Sequence, residues 1–286
     1  MDPHLSFWLM LAAKMVVTVA FVVVASWTAE RAGAVVGALV ATLPISAAPA
    51  YIFLAIDHDV EFIAAAALAS LSANAANVAF CLAYTLVAQS RGLAVSLAGA
   101  VATWLVVTAV ASWFVVGLAG AIILNLIAFA ICTPAARGFR DVAIPATERR
   151  RYDVPIRAGM VAVLVATVVT LSSRLGPLLT GALAVFPIVL TSMALIFQPR
   201  VGGPATAAIT ANGILGLAGY GLALVLLHVA AVPIGLAVAL ILALSVSIGW
   251  NLAVLTMRAG NAAIRQPAGV ELSVPVMQNR DRRSSA

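Results

Sequence analysis

The sequence predicts an all-α, polytopic membrane protein of about nine transmembrane helices, laid out as a 4+1+4 inverted repeat. Three observations predict it. Of 286 residues, 64% are hydrophobic and 9% charged; the few charges fall at span-length intervals; and rare residue types recur 143 positions apart. A soluble chain carries about 25% charged residues, so this one has too little polar side chain to cover a wet surface. Its mean hydropathy of +1.12 agrees. Barrels alternate polar and apolar residues in short segments, whereas the uncharged runs here are far longer, which leaves helices.

A helix crosses roughly 30 Å of hydrocarbon in about 20 residues, so gaps between charges convert to spans. The first span covers about 5–28. Arg31 to Asp57 encloses 25 uncharged residues and Glu61 to Arg91 encloses 29, one span each. Arg91 to Arg137 encloses 45, two spans with a turn near Ala111 to Trp113. Arg157 to Arg174 encloses 16, a short span whose arginines can snorkel. Arg174 to Arg200 encloses 25, one span, and Arg200 to Arg258 encloses 57, two spans broken near His228 to Pro233. Residues 1–110 then form a first four-span unit, 111–134 a connecting transmembrane helix, 135–155 a basic loop, 156–258 a second four-span unit and 259–286 a polar, disordered tail.

The basic loop holds Arg137, Arg140, Arg149, Arg150, Arg151 and Arg157 and is therefore expected on the cytoplasmic side. Walking outward by spans puts Arg31, Arg91, Arg200 and the tail inside, the acidic turn Asp57 to Glu61 outside, and only Arg174 on the wrong side. The N-terminus is then outside and the C-terminus inside. Asp2 and His4 replace the basic start of a signal peptide and Lys14 interrupts its apolar stretch, so the first span is expected to be retained. Fifteen arginines against one lysine, in a background of Ala, Val, Gly and Leu, suit a GC-rich bacterial genome and a bacterial inner membrane. Cys81 and Cys132 lie in apolar runs without metal-like spacing and read as small core residues.

At an offset of 143, Lys14 falls on Arg157, Arg31 on Arg174, Gly33 on Gly176, Pro44 on Pro187 and Ile45 on Ile188. With a five-residue shortening in the next loop, Ser72-Ala73-Asn74 falls on Thr210-Ala211-Asn212. The offset covers five spans, an odd number, so equivalent helices run in opposite directions. Inverted repeats of this kind recur in secondary transporters, with substrate sites near the midplane where discontinuous helices meet.

Lys14, Glu30-Arg31, the run from Gly37 through Pro44 to Ser46 and the acidic turn Asp57 to Glu61 together resemble the GlpM-like group of small four-span membrane proteins. The run from Arg174 to Ile188 resembles them more faintly and lacks the acidic turn. The resemblance covers less than a third of the chain well. It implies an architecture, two such units fused head to tail through an inverting helix, and no activity.

Candidate site residues follow from polarity at depth. Pro44, with Pro49 near it, and Pro187 should kink or open their helices, because proline removes a backbone donor and crowds the preceding turn. Thr42, Ser46, Thr191 and Ser192 are near enough in sequence to serve the freed carbonyls. Ser70, Asn74 and Asn77 share one helix face. With Thr210 and Asn212 they form the strongest polar cluster at hydrocarbon depth, either interhelical glue or a midplane site. Lys14 is the only ionisable residue well inside a span, either neutralising an anionic ligand or headgroup or snorkelling to the interface. The acidic turn reads as solvated. No buried carboxylate, nucleophile with its base, phosphate cradle or zinc spacing is visible, so neither an enzyme, a cofactor nor a metal is expected. The net charge of +6 is accounted for by topology and implies no nucleic acid. The expected class is a transporter or exporter of a small solute within the lipid bilayer, with a non-transporting scaffold or assembly factor as the alternative. The sequence leaves oligomeric state open.

Overall fold

The computed structural model describes residues 3–31, 47–142 and 150–265. Among the described residues nine α-helices follow one another: α1 (Pro3–Arg31), α2 (Ala47–Asp57), α3 (Val60–Val87), α4 (Leu93–Phe114), α5 (Gly117–Ala135), α6 (Asp153–Ala184), α7 (Ile188–Val201), α8 (Gly203–Ile234) and α9 (Leu236–Arg265). A 3-10 turn at Arg137–Phe139 follows α5. Seven helices are long and apolar enough to cross a membrane, while α2 and α7 are shorter apolar pieces of 11 and 14 residues. The chain is an all-helical, multi-pass membrane protein.

Helix boundaries follow local chemistry. Asp59 caps α3 by accepting the Phe62 N–H at 2.8 Å, and Glu61 adds negative charge in the first turn, where the helix dipole favours it. The turn between α4 and α5 lies at Val115 and Val116, both extended, and not at Ala111 to Trp113, where the backbone is still helical. Likewise α8 continues through His228 and Pro233 as far as Ile234 and ends at Gly235. The sixth span does not wait for Arg157; it begins at Asp153 and runs past Arg174 to Gly176, whose φ of 69° breaks the helix. Glycine alone takes that conformation without a Cβ penalty, and Pro177 then starts a new helical stretch that had no N–H partner to lose. The polar end is also helical further than expected, since α9 reaches Arg265. Residues 143–149 of the basic loop and 266–286 lie outside the described residues.

Burial concentrates on one helix. In α3, 67% of the membrane window is buried, against 22% or less for α1, α4, α5 and α9, whose large side chains such as Trp113 and Phe114 face outward. The alanines of α3 let neighbours approach closely, the usual basis of helix packing in lipid. α3 packs on α8, α4, α6 and α5; α8 also packs on α9, and α1 on α6.

The central pair α3 and α8 runs antiparallel. Near one end Thr85 Oγ1 reaches Ala207 O at 3.4 Å, and near the other His228 Nδ1 donates to Ala64 O at 2.8 Å. Between them Asn74 Nδ2 donates to Leu217 O at 3.2 Å. Each of these contacts links positions whose partners 143 residues away make the matching contact. α3 and α8 begin at Val60 and Gly203, and α4 and α9 at Leu93 and Leu236, again 143 apart. No five-residue shortening is therefore needed, and Asn74 corresponds in register to Leu217 and not to Asn212.

Candidate functional site

The interior centres on a break in the seventh crossing. After Pro177 the chain is helical to Ala184, leaves the helix at Val185 to Pro187, and resumes as α7 at Ile188. Pro187 cannot donate to the carbonyl of Leu183, which accepts from the Phe186 N–H instead, at 3.0 Å. Val185 stands at the break, and Asn77 of α3 serves its carbonyl: Asn77 Nδ2 donates to Val185 O at 3.0 Å. The Trp104 indole of α4 donates to Asn77 Oδ1 at 2.8 Å, and the Phe186 ring meets Trp104 edge-on at 5.1 Å. Thr191 Oγ1 donates to Pro187 O at 2.8 Å and Ser192 Oγ to Val189 O at 2.7 Å, both within α7.

One step along α3, Ser70 Oγ donates to Gly181 O at 2.6 Å, which leaves Tyr51 Oη of α2 as the donor to Ser70. The approach there is close because Gly181 has no side chain; a Cβ would stand 2.1 Å from Ala66 O. Deeper on the α3–α8 line, Asn74 Nδ2 donates to Asn125 Oδ1 of α5 at 2.9 Å, and Asn125 Nδ2 donates to Leu71 O and Ala121 O. Asn74 is 0% exposed, and its Oδ1 has no hydrogen-bond partner among the described residues, nor do the buried Thr180 Oγ1 and Tyr220 Oη. A cavity of about 460 Å³ lies beside this region, lined by Ala73, Trp104, Thr108, Ser112 and the 177–184 stretch. A second, about 310 Å³ and almost wholly apolar, lies between α2, α8 and α9 against Tyr51 and Tyr220.

Among the sequence candidates, Ser70, Asn74, Asn77, Pro187, Thr191 and Ser192 line or border this interior. Asn212 does not: its amide donates to Arg140 O and Ala208 O, near the basic loop. Thr210 pairs with Thr85 at 3.1 Å. Pro44 and Ser46 lie outside the described residues. Lys14 has a carboxylate partner within the protein. It is 9% exposed and its ammonium binds both oxygens of Asp57, at 2.7 and 2.6 Å. Asp57 stays exposed to solvent while it holds Lys14. Asn125, Tyr51, Trp104 and the Tyr84 to Gln198 hydrogen bond of 2.6 Å were not singled out. Asn125 carried a readable signal, as the lone strongly polar residue of an otherwise apolar helix.

Fold and site together define a multi-pass helical membrane protein with a discontinuous helix held open by side-chain amides. Comparison with family models, curated proteins and solved structures finds no match to the chain. No group of three or more His, Cys, Asp or Glu suited to a metal ion occurs among the described residues.

Proposed function

We propose that the chain is a transporter, most simply an exporter, of a small solute, working by alternating access between two inverted four-helix halves joined by α5. The observation that carries this reading is the open stretch Val185 to Pro187 inside the seventh crossing, supported from α3 by Asn77. A broken helix places non-helical backbone inside the protein, and inverted-repeat carriers bind solute where such discontinuous helices meet. The antiparallel α3–α8 pair and the recurrence of helix starts at 143 residues support inversion. The four-helix unit agrees with the resemblance of the first half to the GlpM-like proteins. On this reading nine crossings place the N-terminus outside and the C-terminus inside a bacterial inner membrane, and the chain is a carrier with no catalytic step.

A scaffold remains the rival, favoured by one observation: the amide nitrogens of Asn74, Asn77 and Asn125 each donate to the protein itself. A cysteine at Ala73, which lines the larger cavity and shares a buried cluster with Val185, separates the two. In a Cys81→Ala, Cys132→Ala background, a membrane-impermeant maleimide should label it from both faces of oriented vesicles if the chain transports. Labelling from neither face refutes transport. Metabolite profiles of cells with and without the chain then identify the solute.

A further inference from the structure

Two ion pairs fasten the ends of the short helices: Asp57 and Arg200 correspond at the 143-residue offset with opposite charge, while their partners Lys14 and Asp153 lie about one helical turn out of that register. Asp57, the last residue of α2, holds Lys14 of α1. Arg200, in the last turn of α7 and 143 residues beyond Asp57, holds Asp153, the first residue of α6, with its NH1 2.7 Å from one carboxylate oxygen and its NH2 on the other. Each pair thus ties the far end of a short apolar helix to the long helix preceding it. Each cation also lies over an aromatic ring adjoining its carboxylate: Lys14 over Phe53 at 5.9 Å, one turn before Asp57, and Arg200 over Tyr152 at 5.7 Å, next to Asp153. Side-chain exposure is 10% and 27% in the first pair and 13% and 10% in the second, so both are partly withdrawn from water.

Their positions across the membrane are fixed by α3 and α8. Asp57 precedes the start of α3 and Arg200 the start of α8, and the two helices are antiparallel, so the pairs lie at opposite ends of the central pair. Gln198 confirms the second placement by bonding Tyr84 and Arg91 O at the far end of α3.

We propose that Lys14–Asp57 and Asp153–Arg200 are the two latches of alternating access, one on each membrane face, and that the structure with both closed is the occluded state. The proposal rests on the transport reading above. Swinging α2 away from α1 opens the Asp57 face, and swinging α7 away from α6 opens the Arg200 face. A partly buried pair suits this task because breaking it strands a charge, so each face opens only when the released groups are rehydrated.

The test uses the full chain with the Ala73→Cys reporter in vesicles of both orientations. Asp57→Asn should raise the maleimide rate about tenfold or more from the Asp57 face alone, since losing one partner of such a pair shifts a two-state equilibrium by at least that factor. Arg200→Gln should do the same from the opposite face alone. The swap Lys14→Asp with Asp57→Lys should return the rate to that of the parent. Lys14→Gln breaks the same latch from the other side and must open the same face, which keeps the test decisive if Asp57→Asn fails to accumulate. The proposal is overturned if single variants open both faces, the wrong face or neither. A parent labelled from both faces but unmoved by the variants sinks the latches and leaves transport standing; a parent labelled from neither face sinks transport first.

Discussion

Asn77 shows what a single amide does in this interior. It accepts from Trp104 and donates to Val185 O, so truncation orphans a buried donor and a buried carbonyl together. Asn77→Ala is expected to lower stability by about 1–2 kcal/mol, the range of interhelical hydrogen bonds in lipid. Thermal unfolding in detergent should show Asn77→Ala clearly below the parent, with Asn77→Asp between them because it keeps the acceptor for Trp104. The amide was visible in the sequence because asparagine in an apolar run must find a partner. Which partner was not visible. Asn77 and Val185 are separated by 108 residues and Lys14 and Asp57 by 43, and charge spacing carries no information about which face of a helix meets another. Asn212 misled for the same reason, since its depth was inferred from a register that the helix starts at Val60 and Gly203 do not support.

At the scale of elements, the break at Pro187 was legible because proline acts locally, while the break at Gly176 was not, because glycine permits a positive φ without demanding it. Pro187→Ala restores the missing N–H and lets α7 extend toward Ala184. We expect melting temperature to hold or rise while the solute difference between cells with and without the chain disappears. A fall in both together would mean that the proline serves packing alone. The antiparallel contact of α3 with α8 makes a second prediction. Paired cysteines replacing Thr85 and Ala207, or Ala64 and His228, should join with a short bifunctional thiol reagent, whereas cysteines replacing Thr85 and His228 should not. The reverse pattern would put the two helices parallel.

For the whole molecule, membrane class was readable from composition alone, since 9% charge cannot coat a soluble surface. Span boundaries were readable to within a few residues wherever a charge stood at a helix end, as at Glu61 and Arg91, and drifted where none did, as at Val115 and Gly235. The proposed nine-crossing arrangement, being odd, puts the two ends of the chain on opposite faces. Cysteines replacing Asp2 and Ser285 should therefore be labelled from opposite faces, the first from outside. Labelling of both from one side would require an even number and would remove the inverted arrangement.

The long-range bonds of α3 also set a timetable for synthesis. Ribosomes extend a chain by about 5–20 residues per second, so Asn125, 51 residues after Asn74, follows it by roughly 3–10 s, and Val185, 108 after Asn77, follows by roughly 5–20 s. During that interval the helix destined for the centre of the molecule holds Ser70, Asn74 and Asn77 without their final partners. The most deeply packed span is therefore, while the chain is being made, the one least suited to lipid. Ser70, Asn74 and Asn77 therefore need other hydrogen-bond partners until α5 and the 177–187 stretch have been made.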